Sequence, residues 1–191
     1  MRLPDGSLAE SQVVAETLTR RGPSGLLPLD RALLHSPPVT SGWNAFFGAI
    51  RTQTLLPADL LELAICRVAV ITRAHFEWTQ HAPLALAAGV TPQGLRAIRD
   101  SDDDSEWEKV GLTEKQRAVV GFASESTRDV RVSDAAFERV RGLFLDREVV
   151  EITAVVGGYN CVSRFLVALE VGEGNSVEVE DYEIPGEGRG G

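Results

Sequence analysis

The chain is poor in nearly everything that would announce a familiar chemistry. Of 191 residues only two are cysteine and three are histidine, and Lys and Arg number 19 against 28 Asp and Glu. Two cysteines, Cys66 and Cys161, cannot build a disulfide framework. Both lie inside apolar helical patterns and read as buried, reduced thiols. A structural or catalytic zinc site needs three or four convergent ligands. His35, His75 and His81 do not supply them, because His75 and His81 point about 240° apart around one helix. The metal-binding HExxH and the CxxC pair are absent, as are the GxGxxG and GxxxxGKS/T phosphate loops and the GxSxG elbow. The net charge of −9 argues against nucleic acid, whose phosphates are neutralised by a surplus of Lys and Arg. It also argues against anionic membrane surfaces. No run of about 18 uninterrupted apolar residues suggests a membrane span, and the N-terminal MRLPDGSLAESQ lacks the apolar core of a signal peptide. A cytoplasmic location is the resulting expectation.

What is present is helical periodicity. Residues 8–21 carry Val13, Val14 and Leu18 on one side, after a loose arm over residues 1–8. A short helix is expected over residues 29–35, closed by Ser36-Pro37-Pro38 because proline disfavours helix in the residue before it. Over residues 39–53, Trp43, Phe46, Phe47 and Ile50 recur at spacings of three and four. Pro57 opens a helix that is apolar nearly all round through Ile71, as a central core helix is. The next runs from His75 to about Ala88, with Pro83 inside it and Gly89 as a left-handed cap. Thr91-Pro92 starts another. Residues 100–106 read as an acidic surface loop. Thr113 to Gln116 is a capping box, Ser133 caps a shorter helix, and Asp146 begins a long one through Leu169, interrupted at Gly157-Gly158. No segment makes a convincing strand. The expectation is an all-α domain over residues 1–171, followed by an acidic, Gly-rich tail over 172–191.

One carboxylate stands out. Glu62 sits within LLELAICRVAVI, and acidic groups are rarely placed on an all-apolar helix unless they are paired. In the following HFEWTQH, Glu77 and His81 are at i, i+4, about 40° apart on one face. A carboxylate beside an imidazole favours its protonated form and burial opposes it, so His81 could be poised near neutral pH for proton transfer. The same residues allow a structural reading. Glu62 could simply pair with Arg67 or a neighbouring helix, and Glu77 with His81 could be a surface ion pair. Arg67 and Arg73 could pair with the acids or hold an anionic substrate.

The segment from Leu60 to Gly89 resembles the carboxymuconolactone decarboxylase and alkylhydroperoxidase D-like family, in which a Glu inside an apolar helix is followed by a His on the next. Glu62 and His81 stand at that spacing, and Phe76-Glu77-Trp78 is similar to the aromatic-Glu-Trp form of non-peroxidase members. Tyr159, Asn160 and Arg164 resemble the YN-x-x-x-R element of the final helix. The likeness spans about residues 26–171. Where hydroperoxidase members carry their two redox cysteines, this chain has Ala74 and Glu77, so it resembles the branch lacking that pair. The resemblance implies an alkylhydroperoxidase D-like helical fold assembled as a homotrimer or homohexamer. It implies decarboxylation of a small carboxylated or lactone-like metabolite without cofactor or metal. Glu62, Glu77 and His81 would be the acid–base groups, with Arg67, Arg73, Trp78, Tyr159, Asn160 and Arg164 binding substrate. An isomerase or cyclase with the same site, or a non-catalytic helical oligomer, are the alternatives.

Overall fold

The computed structural model describes residues 2, 12–172 and 176–186. Among them there are helices and turns and no strand, as the periodicity implies. In chain order the α-helices are α1 (Gln12–Arg21), α2 (Pro28–Leu33), α3 (Pro37–Thr52), α4 (Ala58–Thr72), α5 (His75–Ala87), α6 (Pro92–Asp100), α7 (Asp104–Lys109), α8 (Glu114–Asp129), α9 (Asp134–Leu143) and α10 (Asp146–Leu169). The expected loose arm falls, apart from Arg2, outside the described residues.

Helix α4 is the axis of the molecule. It packs against α5, α8 and α10, and its residues from Leu60 to Val70 are all buried. That is why the sequence can be apolar around its whole circumference. Two clusters flank it. One gathers Leu61, Ala64, Ile65 and Val68 with the inner faces of α3, α8 and α10. The other gathers Leu63, Cys66 and Ala69 with Trp78, Leu95, Ile98 and Trp107. Arg73, at φ 56° and ψ 34°, closes α4 in the left-handed conformation, and α5 begins two residues later. The turn therefore folds α5 back along α4, which sets Glu62 opposite the α5 side chains.

Three local expectations change. The acidic stretch is partly helical, because the Asp103 side chain accepts a hydrogen bond from the Ser105 amide and starts α7. Helix α10 runs through Gly157-Gly158 without interruption. Gly158 is there for closeness: a Cβ on it would stand 3.1 Å from Ile50 Cδ1 and 3.1 Å from Phe46 Cε1 on α3. The described part of the tail is packed rather than loose. Tyr182 is fully buried, and the carbonyls of Glu183 and Tyr182 accept hydrogen bonds from Trp78 Nε1 at 2.9 Å and Arg99 Nη1 at 2.6 Å.

By length and composition α10 could cross a membrane, with a mean hydropathy of 1.5 over its most apolar window. In this fold its inner face packs on α4, α8 and α3, and its outer face carries Thr153, Gly157 and Arg164.

Candidate functional site

The α4–α5 hairpin brings Glu62 and His81 together. Glu62 Oε2 lies 2.7 Å from His81 Nδ1, and the Glu62 side chain is only 4% exposed. A third group completes the pair: Arg51, from the last turn of α3, places Nη1 2.5 Å from Glu62 Oε1. Each carboxylate oxygen thus has its own partner, which is what a buried charge requires. The Tyr159 hydroxyl from α10 lies within hydrogen-bonding reach of Arg51, and its ring meets the His81 ring edge-on at 5.0 Å between centroids.

Burial alone would push the Glu62 carboxyl up, but the hydrogen bond and charge of His81, with Arg51 beside it, outweigh that and hold it below its ordinary value. His81 goes the other way for an imidazole. Burial, supported by the positive charges of Arg51 and Arg21, outweighs the pull of Glu62 and lowers its pKa from 6.5. At neutral pH the pair is therefore an ionised Glu62 and a neutral His81. The carboxylate accepts from Nδ1–H, which fixes the tautomer and leaves Nε2 as the basic nitrogen.

His81 opens onto a cavity of about 400 Å³ bounded by α1, α3, α5 and α10, a size that suits a small metabolite. Aromatic side chains of Trp43, Phe47, Phe76 and Tyr159 form much of the wall, and Arg20, Arg21 and Arg51 supply its positive groups.

Glu77 borders this cavity but bonds to neither Glu62 nor His81. It is 1% exposed, and neither carboxyl oxygen has a partner among the described residues. Burial raises its pKa well above the ordinary carboxylate value, because nothing beside it offsets the loss of water. The expectation that it sets the charge on His81 is therefore corrected: His81 Nδ1 bonds to Glu62, and neither Glu77 oxygen bonds to the imidazole.

Most of the expected substrate-binding residues lie elsewhere. Arg67, five residues beyond Glu62, faces the opposite side of α4. There it donates to Ser124 Oγ at 2.7 Å, pairs with Asp102 and stacks over Trp107. Arg73 is an exposed helix cap 3.7 Å from Glu178. Trp78 points into the second core cluster. Asn160 donates to Thr127 Oγ1 at 2.9 Å, and Arg164 is exposed and donates to Asn160. Only Tyr159 of that set lines the cavity. The α5 residues on the wall are Phe76, Glu77, Gln80, His81 and Leu84, one helical face.

Arg51 was legible but missed. It follows Trp43 and Phe47 at successive intervals of four, so a lone cation sits on an apolar face. Arg20 and Arg21 gave no such signal, since two arginines ending a helix read as partners of its dipole. The thiols are separate: Cys66 is buried and Cys161 exposed, and burial pushes the Cys66 thiol well up, away from the thiolate that peroxide reduction needs.

Residues 37–111 match the model of the carboxymuconolactone decarboxylase family. No curated protein matches the chain significantly. Among solved structures, an alkylhydroperoxidase AhpD core, a peroxidase-related protein from Ralstonia eutropha JMP134, superposes with a TM-score of 0.71 at 16% identity, over 95% of this chain and 97% of that one. The debrominase Bmp8, as a C82A variant in complex with 2,3,4-tribromopyrrole, gives 0.67 at 14% identity over 90% of each chain. A candidate AhpD antioxidant-defence protein from Agrobacterium tumefaciens gives 0.62 at 24% identity, over 72% of this chain and 92% of that one. At these identities the likeness is one of fold. The segment that matches the carboxymuconolactone decarboxylase family model holds Arg51, Glu62 and His81 within an alkylhydroperoxidase D-like helical fold, and it lacks the CxxC pair.

Proposed function

We propose that the chain is an acid–base enzyme acting on a small carboxylated or lactone-like molecule, with decarboxylation as the reaction. The observation that carries the reading is the 2.7 Å contact between His81 Nδ1 and the buried Glu62 carboxylate, on a ring that lines a cavity of metabolite size. Such a pair gives an imidazole of fixed tautomer whose second nitrogen takes or returns a proton.

In this reading the bond from the carboxylate carbon to the neighbouring carbon breaks, and its electron pair moves into a conjugated carbonyl of the substrate. The resulting enolate then takes a proton at carbon. His81 is neutral beforehand, so the proton has to reach it first. An anionic substrate placed beside Nε2 favours the imidazolium, which Glu62 also stabilises, and a proton taken up from solvent with the substrate serves this step. His81 then delivers it and returns to neutral. The conjugated carbonyl is the electron sink, so the scheme calls on no cofactor.

A second reading has an observation of its own. A neutral His81 is a base from the outset, which suits an isomerase that removes a proton at one carbon and returns it at another. Thiol peroxidase chemistry has no support in the residues, with Ala74 and Glu77 where paired cysteines would be needed. The bromopyrrole bound by the debrominase gives no substrate for this chain.

The test is incubation in D2O with a panel of small unsaturated and lactone carboxylic acids, following CO2 release and deuterium incorporation. Release of CO2 with deuterium at the protonated carbon, lost in His81→Asn, is the expected result. Deuterium without CO2 moves the assignment to isomerisation. Turnover unchanged in His81→Asn would remove the dyad from the chemistry.

A further inference from the structure

The cavity wall carries a pair of arginines that the acid–base scheme does not use. Arg20 and Arg21 end α1, before the segment that matches the family model. Both reach one buried carboxylate, Asp30 on α2: Arg21 through Nε and Nη2, each at 2.8 Å from an oxygen, and Arg20 through Nη2 at 3.2 Å. Arg20 Nε is taken by Asn44 Oδ1 at 2.8 Å. On both residues Nη1 has no partner among the described residues, and both side chains remain about one-fifth exposed.

The charges around the cavity do not cancel. Arg20, Arg21 and Arg51 are ion-paired with only two carboxylates, Asp30 and Glu62. His81 is neutral, and the Glu77 carboxyl is buried without a partner among the described residues, which disfavours its charged form. One positive charge is left over, in a partly enclosed space walled by Trp43, Phe47 and Phe76. A single anionic group answers it. A dianionic phosphate would overfill it and leave an uncompensated negative charge in a poorly solvated place.

We infer that Arg20 and Arg21 form an anion subsite that anchors a substrate monocarboxylate through their free Nη1 groups, with a planar apolar body lying along the aromatic wall. The inference rests on the acid–base reading of the cavity and adds a substrate class and two specificity residues to it. The anchored carboxylate is retained through the reaction. Pairing a carboxylate with guanidinium stabilises the ground state, which works against losing it as CO2. A leaving carboxylate belongs at the His81 side instead, where the proton that His81 takes up with the substrate answers its charge.

Binding can be read without turnover, using benzoate and its neutral counterpart benzyl alcohol as probes in calorimetric titrations of the full chain. Benzoate should bind about tenfold or more tightly than benzyl alcohol, as a charge-assisted hydrogen bond implies, and its affinity should fall with added salt. Arg21→Gln should remove that preference and leave benzyl alcohol unchanged. Arg21→Lys retains a cation for Asp30, and should weaken benzoate in part if the glutamine variant does not fold. Equal affinities in the wild-type chain, failure of both probes to bind, or an undiminished benzoate preference in the lysine and glutamine variants would overturn the subsite. Benzoate bound through Arg21 by a chain that turns over no acid in the panel would keep the subsite and remove the acid–base reading.

Discussion

At the scale of single residues, the two buried carboxyls Glu62 and Glu77, on successive helices, have opposite electrostatic surroundings. Glu62 has a partner on each oxygen, which lowers its pKa; Glu77 has none among the described residues, and burial raises its pKa. Their linkage to stability has opposite sign. Glu77 holds its proton more tightly folded than unfolded, so its contribution is complete below the ordinary carboxylate value of 4.5 and is lost as pH rises toward the raised folded value. One such proton changes stability by at most about 1.4 kcal/mol per pH unit. Denaturant unfolding of Glu77→Gln between about pH 5 and pH 8 should show that downward slope flattened, and parallel profiles for the two proteins would contradict the raised Glu77 pKa. His81 runs the other way: its folded pKa is lowered, so its contribution is present above 6.5 and fades as pH falls through the folded value. In turnover, His81→Asn or Glu62→Gln should cost roughly a hundredfold to ten-thousandfold, the span of a general acid–base group. The sequence made Glu62, Glu77 and His81 visible because charged groups on apolar helices are conspicuous. It could not show that Glu77 lacks a partner, since that depends on what α10 and the C-terminal segment leave beside it.

At the scale of elements, helix boundaries followed closely from caps and prolines, and the errors have local causes. Thr91, Thr113 and Ser133 each cap the helix expected of them, with side-chain oxygens accepting from Gly94, Gln116 and Ala136 amides. Gly157-Gly158 looked like a break because glycine weakens a helix when nothing else compensates. Here α3 packs against α10 at Gly158, and that contact is worth more than the propensity lost. The two glycines should therefore respond differently. Gly157→Ala meets nothing within 4 Å and should stabilise by up to about 1 kcal/mol. Gly158→Val presses on Ile50, Phe46 and Phe47 and should cost about 1–3 kcal/mol. Equal thermal midpoints for the two variants would show that α3 does not seat against Gly158. The substrate-binding arginines were misassigned for a related reason. Arg67 and Arg164 lie near the motif in sequence, but helix phase turns them away, and the cavity takes its cations from α1 and α3.

At the scale of the whole molecule, the exposed face is uneven. Val39, Phe46, Leu55, Leu145 and Val150 are large apolar residues left exposed. The chain around residue 55 and the start of α10 adjoin, since Glu151 Oε2 accepts from the Leu55 amide at 2.8 Å. We propose that this face, on α3 and α10, is covered by further copies of the chain in a homotrimer or homohexamer, because apolar surface of this kind is characteristic of interfaces. Light scattering at micromolar concentration should give a multiple of three of the 20.7 kDa chain mass. Val150→Asp should shift it toward the single chain while leaving helical content intact. A wild-type mass of one chain, unchanged on concentrating, would contradict the assembly.

The measurement closest to the central claim is a pH titration of the His81 ring nitrogens by NMR, in the wild-type chain and in Glu62→Gln. The expected wild-type result at neutral pH is an uncharged imidazole protonated on Nδ1, titrating below its ordinary value, with that tautomer preference lost when Glu62 is replaced. A ring protonated on Nε2, or already an imidazolium at neutral pH, would contradict the account of Glu62 and His81 as a poised acid–base pair.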